Sequence, residues 1–527
     1  MVANEQSSLS SVIFFSLSSP KESFSIEEHP LMKNIKMIRV KIFKLDMTKI
    51  LTIDQGTTSS RAIVFDSNAQ IVEVHQEEYP LIYPEDGWVE IDPEILVKSV
   101  TDTLEKINFN GITSAAITNQ RETTIVWERD SGKPIYNAIV WQDRRTKDFC
   151  SSINDQEIVN EVSTRTGLVL DPYFSATKIK WILENVEGAR KKANEGKLCF
   201  GTVDTYLMYV LSNKKIHKTD ITNASRTMLF NINTLSWDNY LLELFNIPES
   251  MLPEVSNSDD LFGTLSECNN LDIRAVLGDQ QAALFGQGCL NAGDLKSTYG
   301  TGGFLMSNIG LKPLNSDKGL LTTIGFSFNN EIHYAIEGSI YSAGTVVQWL
   351  RDGLEFFSES SHSEKFLNLD ANANGVHFIP AFNGLGAPYW DSEIRASFHG
   401  ITRDTTKKDL ITAAFNSISY QTKDIVDCLE QTNISVNSLS VDGGMAANKT
   451  FVVHIASILN IPIQVPKNTE ATAKGVACLA GITTGLMNVD LITRQEKTIY
   501  DPEIALNAIM KEDYQIWKKL INANVSP

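Results

Sequence analysis

Four short stretches combine acids, hydroxyls and glycines in patterns able to handle a phosphorylated ligand. In residues 49–65, two runs rich in β-branched residues flank the turn Gly56-Thr57-Thr58-Ser59, which predicts a β-hairpin. Gly56 allows close backbone approach, and the Thr57, Thr58 and Ser59 amides and hydroxyls offer donors for phosphate oxygens. Asp54, ending the first run, is an oxygen ligand of the kind Mg²⁺ prefers. An ordinary hairpin with a polar turn fits the same residues. Leu277-Gly278-Asp279-Gln280-Gln281 sets an acid after an apolar strand and before a helix, where it serves as a general base or as an N-cap. Residues 295–308, through Tyr299-Gly300-Thr301-Gly302-Gly303-Phe304, repeat the strand, Gly/Thr turn, strand order of the first hairpin. Val441-Asp442-Gly443-Gly444 then predicts a strand, a tight turn and a helix carrying Asn448 in its first turn. That turn admits a flat ligand such as adenine, with Asn448 placed to bond base or sugar.

The two hairpins suggest a duplicated fold whose halves close on a triphosphate from both sides; a chance Gly-rich turn is the bland alternative. Ala343-Gly344-Thr345 through Gln348 reads as a helix with a glycine on one face. A different chemistry is offered by Arg121-Glu122, an ion pair at a strand end able to donate to and accept from vicinal hydroxyls. Trp141 and Tyr173 could wall in the carbons of a small polyol. Taken singly, each of these also fits a surface ion pair or a packed aromatic.

The elements that must position these residues are mixed. Residues 70–78 predict a third strand, and Asp92-Pro93 predicts a helix with Asp92 as N-cap and Pro93 at its first position. Leu96, Val100, Leu104 and Ile107 give that helix an apolar face. Residues 112–118 read as a buried strand delivering Arg121-Glu122, residues 123–128 as another strand, and the segment Asp171 to Trp181 is expected to lead into a helix that continues to about Glu195. Strands interleaved with helices predict an α/β fold.

At 527 residues the chain exceeds what one core usually serves. Its 42% hydrophobic and 21% charged composition is that of a soluble globular protein. Lys and Arg number 46 against 64 Asp and Glu, a net charge of −18, which argues against nucleic acid or an anionic membrane as partner. Local amides and Mg²⁺ can still hold a small phosphate. The 6 cysteines include no C-x-x-C pair and read as reduced thiols of a cytoplasmic protein. No run approaches the roughly 20 apolar residues that span a bilayer, so no membrane insertion is expected. Residues 1–46, Ser-rich and then basic, are expected to be a disordered extension or a start-site artefact, because Met47 leads directly into the first strand.

From about Lys49 to Gly481 the chain resembles the glycerol kinases, members of the carbohydrate kinase family with the ribonuclease-H-like fold also seen in actin and the large heat-shock chaperones. The resemblance is carried by Asp54-Gln-Gly-Thr-Thr-Ser-Ser-Arg61, Asn119-Gln-Arg-Glu-Thr-Thr124, Asn137-Ala-Ile-Val-Trp-Gln-Asp-Arg-Arg145 and Asp171-Pro-Tyr-Phe-Ser175. Gly278-Asp-Gln-Gln-Ala-Ala-Leu-Phe-Gly286, Tyr299-Gly-Thr-Gly302, Gly384-Leu-Gly-Ala-Pro-Tyr-Trp-Asp391 and Val441-Asp-Gly-Gly444 extend it. It implies two duplicated ribonuclease-H-like domains around a cleft: 47–290 for substrate and phosphates, 291–527 for ATP. It also implies ATP-dependent phosphorylation of glycerol. Asp279 would be the general base, with Arg121, Glu122 and Gln280 on the hydroxyls and Trp141, Tyr173 and Phe304 against the carbons. Asp54 would position Mg²⁺ through water. Thr57, Thr58, Ser59 and Arg61 would line one side of the phosphates, with Gly300 and Thr301 on the other, and Gly344, Gln348, Gly444 and Asn448 would hold the adenosine. The assembly expected is a homo-oligomer, a dimer or tetramer.

Gly303 stands where many relatives have Cys, and Ala471-Thr-Ala-Lys474-Gly475-Val476 departs from the family's pattern. Residues 263–277 carry Asn269-Asn270-Leu271-Asp272 and no His, in place of the Gly-rich, Arg-bearing loop or phosphorylated His of some bacterial relatives. Neither fructose bisphosphate control nor His phosphorylation is therefore expected at this segment. Two other readings stay open: a related polyol or sugar kinase, and an actin-like nucleotide switch without a small-molecule substrate.

Overall fold

The computed structural model describes residues 48–314, 319–391, 393–432, 434–467 and 470–525; the expectation for residues 1–46 lies outside them. The opening hairpin forms as β1 (Lys49–Gln55) and β2 (Ser59–Asp66), joined antiparallel with Asp54 opposite Arg61. Next come β3 (Ile71–Glu78), helix α1 (Pro93–Leu104), β4 (Ile112–Asn119), β5 (Gly263–Leu265) and β6 (Leu271–Gly278). The six strands lie in the order β5-β6-β4-β1-β2-β3. β2 is antiparallel to β1 and β3, while β4 runs parallel to both β1 and β6.

Strand alternation sends side chains to opposite faces. Leu51, Ile53, Ala62, Val64, Ala115 and Ile117 pack on one side with Leu96, Val100 and Leu104 of α1. Ile50, Ile63, Phe65, Ala116 and Leu277 pack on the other, against α2 (Asp279–Gly286). The Asp92 side chain caps α1 by accepting from the Glu94 amide at 2.8 Å. Asn269 and Asn270, with φ of 51° and 57°, turn the chain between β5 and β6.

The second half repeats this order. β7 (Leu295–Tyr299), β8 (Gly303–Gly310), β9 (Leu321–Phe328), β10 (Glu331–Ile340), β11 (Leu439–Asp442), β12 (Ile463–Pro466) and β13 (Lys497–Tyr500) form a sheet ordered β9-β10-β8-β7-β11-β12-β13. β7 and β8 make an antiparallel hairpin, β10 pairs antiparallel with β8, and β11 runs parallel to β7 and β12. The hairpin, the third antiparallel strand and the two parallel strands thus recur with the same connectivity, β9 being an addition. One face of this sheet packs on α3 (Lys407–Glu430), α4 (Lys449–Leu459) and α6 (Ile504–Asn524), through Ile418, Phe451 and Trp517 among others.

Its other face, through Met306 and Ala335, meets the layer that already covers the first sheet, formed by α2 and α5 (Ala471–Thr483). These helices cross closely. A Cβ on Gly286 would sit 2.0 Å from the Ala471 carbonyl oxygen, and one on Gly475 would sit 1.9 Å from that of Ala282. The described residues form one compact unit, and among them no helix is long and apolar enough to cross a membrane.

One expected element differs. The helix starting at Ser175 ends at Asn185, and a second runs Ala189–Asn194. Gly188, at φ +75°, takes the left-handed conformation that interrupts them.

Candidate active site

The parallel strands β4, β6 and β11 end on the side where both hairpins turn, so their first loop residues converge. β4 delivers Arg121 and Glu122, β6 delivers Asp279, and β11 delivers Gly443-Gly444. Asp279 occupies the first position of α2, with Gly278 in the capping position. Its Oδ1 accepts from the neighbouring Gln280 amide at 2.7 Å and does not cap the second or third turn positions. Asp279 Oδ1 also lies 3.5 Å from Arg121 Nε. Burial, reinforced by Glu122, lifts its carboxyl to about 6 against the pull of Arg121 and Lys296. The side chain keeps 30% exposure.

Arg121 and Glu122 are buried. Arg121 Nη1 donates to Glu337 Oε2 at 2.5 Å and to Gln281 Oε1 at 3.2 Å, and Nη2 donates to Glu337 Oε1 at 3.0 Å. Glu122 holds φ +60°, a left-handed conformation that costs a non-glycine residue about 1–2 kcal/mol. Such a conformation persists where surrounding bonds over-determine it. Here Arg226 Nε donates to Glu122 Oε1 at 2.6 Å, and Ser175 Oγ donates to the Glu122 carbonyl at 3.1 Å.

Aromatic rings stand beside these charges. Trp141 meets Tyr173 edge-on at 5.8 Å between centroids and Phe304 at 6.1 Å, each interplanar angle being 74°. Phe304 comes from β8, so this wall draws on both halves of the chain. Trp141 Nε1 also donates to Thr57 Oγ1 at 3.0 Å, which ties the wall to the first hairpin turn. The Gly56 amide bonds the Ser59 carbonyl at 2.9 Å to close that turn, leaving Thr58 exposed.

Around the second turn, the Gly344 amide donates to the Gly300 carbonyl at 2.9 Å, and the Ala343 and Thr345 amides both donate to the Thr301 carbonyl at 3.1 Å. Gly443, at φ +88°, presses on this hairpin so closely that a Cβ would sit 2.4 Å from the Tyr299 oxygen. A Cβ on Gly444 or Gly300 would meet nothing within 4 Å. Gly344 thus packs against Gly300 and Thr301, open space lies at Gly300 and Gly444, and Gln348 is exposed at the end of the short helix Gly344–Gln348.

One residue sits differently from expectation. Asn448 lies outside the first helical turn. It is the N-cap of α4, accepting from the Phe451 amide at 3.0 Å and donating to Ser363 Oγ at 3.3 Å, because a 3₁₀ turn over Gly444–Ala447 delays the helix. Arg61 is held by carboxylates on two sides, Asp54 Oδ2 at 2.5 Å and Glu470 Oε2 at 2.7 Å. Burial raises the Asp54 carboxyl above its usual range, and Arg61 opposes that rise. Among the described residues no group of three His, Cys, Asp or Glu could hold a metal ion.

Several residues of the site escaped the sequence reading. Arg226 and Glu337 complete the buried charges, Gln281 receives Arg121, and Lys296 donates to Gln280 Oε1 at 2.6 Å and to Thr298 Oγ1 at 3.2 Å. Burial drives the Lys296 ammonium down to about 8, against the pull of Asp442. Glu337 was the most discoverable of these, as an acid inside the apolar run Tyr334-Ala-Ile-Glu337.

The N-terminal domain of the FGGY family of carbohydrate kinases matches residues 49–286, and its C-terminal domain matches residues 295–484. A glycerol kinase of Marinomonas sp. (strain MWYL1) is 46% identical over 486 residues, covering 90% of this chain and 98% of its own. That of Bacillus subtilis (strain 168) is 44% identical over 490 residues, covering 90% and 99%. The crystal structure of Plasmodium falciparum glycerol kinase with ADP superposes with a TM-score of 0.84 at 34% identity, covering 91% of this chain and 99% of that one. A gluconate kinase from Lactobacillus acidophilus, at 21% identity over 91% of this chain and 98% of its own and a TM-score of 0.81, shares the fold. With both domains matched in order and the paired hairpins in place, the chain belongs to the FGGY family of carbohydrate kinases.

Proposed function

We propose that this chain transfers the γ-phosphoryl group of ATP to a terminal hydroxyl of glycerol, giving sn-glycerol 3-phosphate and ADP, the entry step of glycerol utilisation. The observation that carries the reading is the convergence of Arg121, Glu122 and Asp279 beside the Trp141, Tyr173 and Phe304 wall. An ionic pair for hydroxyls, an acid within reach of both and an apolar side for carbons suit a short polyol.

Asp279 accepts the proton of the attacking hydroxyl as its oxygen bonds to the γ-phosphorus and ADP leaves. Arg121, Glu122 and Gln280 hold the hydroxyls. Because Lys296 occupies Gln280 Oε1, Gln280 offers the substrate its amide hydrogens. Thr57, Thr58, Ser59 and Arg61 line one side of the phosphates, Gly300 and Thr301 the other, and Gly344, Gln348, Gly444 and Asn448 the adenosine. The open space at Gly300 and Gly444 fits such a ligand. Alignment of acceptor and phosphate then supplies most of the acceleration.

Asp54, a buried carboxylate whose Oδ2 is already paired with Arg61, suits an ion that keeps most of its water and is otherwise held by substrate phosphates. Mg²⁺ arriving with ATP would neutralise phosphate charge there. We assign residues 47–290 to substrate and phosphates and 291–527 to the nucleotide. The free cysteines, most of them buried, suit a reducing compartment, so we place the enzyme in the cytoplasm. A homo-oligomer remains the proposed assembly.

The test is ADP release by the purified protein with Mg-ATP and a panel of polyols and ketoses. Glycerol should give the highest kcat/KM; best turnover on a five-carbon ketose would overturn the assignment. Asp279→Asn should lower kcat at least about 100-fold while ATP affinity changes less than about twofold. Retained turnover would remove Asp279 as the base.

A further inference from the structure

Arg121, Glu122, Arg226 and Glu337 form a closed ring of alternating charge beneath the polyol pocket. Glu337 binds Arg121 through both carboxylate oxygens and Arg226 at 3.1 Å, Arg226 binds Glu122 at 2.6 Å, and Glu122 lies 3.8 Å from Arg121. All four side chains are at most 1% exposed. Three come from the first half and Glu337 from β10 of the second.

We propose that Arg226 and Glu337 are positioning residues of the polyol site, fixing which hydrogen-bonding atoms of Arg121 and Glu122 are left for substrate hydroxyls. The assignment rests on the reading of this cleft as a polyol site. A guanidinium carries five N–H donors. Glu337 and Gln281 take both hydrogens of Arg121 Nη1, and Glu337 takes one from Nη2. Nε–H and one Nη2 hydrogen remain. On Glu122, Oε1 accepts from Arg226, and no hydrogen bond reaches Oε2 among the described residues. The ring thereby converts two versatile side chains into a fixed set of donors and one acceptor.

Stability alone does not account for it. A buried ion cluster is often no better than apolar side chains of the same volume. This ring also leaves Arg226 Nη1 buried without a hydrogen-bond partner among the described residues, and it holds Glu122 in a left-handed conformation. Unsatisfied groups and backbone strain gathered at one spot mark a functional constraint. The Arg226 guanidinium also lies over Tyr173 at 5.7 Å and Phe174 at 5.3 Å, so it braces the apolar wall as well.

The test compares glycerol with propane-1,3-diol, which lacks the secondary hydroxyl, in wild type and Glu337→Gln. The amide keeps the shape of Glu337 and removes its charge. Loosening Arg121 and Glu122 should raise the KM for glycerol and leave that for ATP within about twofold. The ratio of kcat/KM values, glycerol over diol, should fall about tenfold, the worth of one charge-assisted hydrogen bond. A merely structural residue would lower both substrates equally, and an unchanged ratio overturns the proposal. If Glu337→Gln does not fold, Arg226→Gln with Glu337→Gln keeps the buried charge balanced and must show the same fall. Wild type that turns over glycerol while the ratio stays fixed removes only the positioning role; wild type inert towards every polyol removes the functional reading itself.

Discussion

The indole N–H of Trp141 reaches the hydroxyl of Thr57 at 3.0 Å, across a sequence separation of 84 residues. A residue of the aromatic wall is thus bonded to the first hairpin turn, and the two cannot shift independently. Trp141→Phe keeps an aromatic ring and loses that bond. Removing a neutral hydrogen bond of about 1 kcal/mol predicts a roughly fivefold loss in kcat/KM. Thr57→Ala should cost a similar factor, and the double variant should be little worse than either single one. Additive losses in steady-state kinetics would mean that the bond does not couple the two sites.

The acid limb of the pH profile should belong to Asp279. A base must be ionised to accept a proton, so kcat/KM should fall below about pH 6, where its carboxyl titrates. The limb should vanish from the residual activity of Asp279→Asn. Stability should respond in the opposite sense. With a folded value near 6 against 3.8 unfolded, the folded protein binds more protons between those values, so Asp279 favours folding less as pH rises through 6.

Glu337 behaves inversely. Burial alone would raise its carboxyl, but Arg121 and Arg226 outweigh burial and bring it from 4.5 to about 2. Its contribution to stability is therefore present above pH 4.5 and is lost as pH falls towards 2. Urea midpoints measured across pH 5 to pH 2.5, in wild type and Glu337→Gln, should show a steeper decline for wild type.

Adjacent glycines in the β11 turn should behave differently. Gly444→Ala places a methyl in open space, so the thermal midpoint should hold while the KM for ATP rises severalfold. Gly443→Ala combines φ +88° with a clash at 2.4 Å against the Tyr299 oxygen, and should lower the midpoint by several degrees. Differential scanning calorimetry with ATP titration separates the two outcomes.

The crossing of α2 and α5 sets the height of Asp279. Gly475→Ala would push a methyl to 1.9 Å from the Ala282 oxygen, and such overpacking costs about 1–3 kcal/mol. Both the thermal midpoint and kcat should fall, because α2 begins at Asp279.

Much of this arrangement was legible in the chain. Both hairpins, the acid between β6 and α2, and the Gly-Gly turn after β11 are local patterns, in which strand periodicity and turn chemistry lie within a few residues. The capping of α1 by Asp92 was readable for the same reason. What stayed hidden depends on distant partners. Arg226 follows Thr-Asn-Ala-Ser in a segment with no catalytic signature, and its role exists only because Glu122, 104 residues earlier, meets it. The Arg121–Glu337 pair spans 216 residues. Lys296 reads as one of three consecutive polar residues in a strand until Gln280 is seen beside it. The displacement of Asn448 to the cap of α4 hinged on a 3₁₀ turn that shares its composition with an α-helical start. Propensity could not separate the two.

The charge ring also bears on whether the chain can be divided. Severed after about residue 290, the first fragment would keep Arg121 and Arg226 against Glu122 and the partly exposed Asp279, and the second would keep Glu337 with no guanidinium beside it. Each piece would have to hydrate or protonate a group that the intact chain neutralises internally, at several kcal/mol per ion. The two matching folds are in this way tied together by a shared set of buried charges. Mixing the two fragments should restore what neither has alone, and the missing counter-charge would drive their reunion.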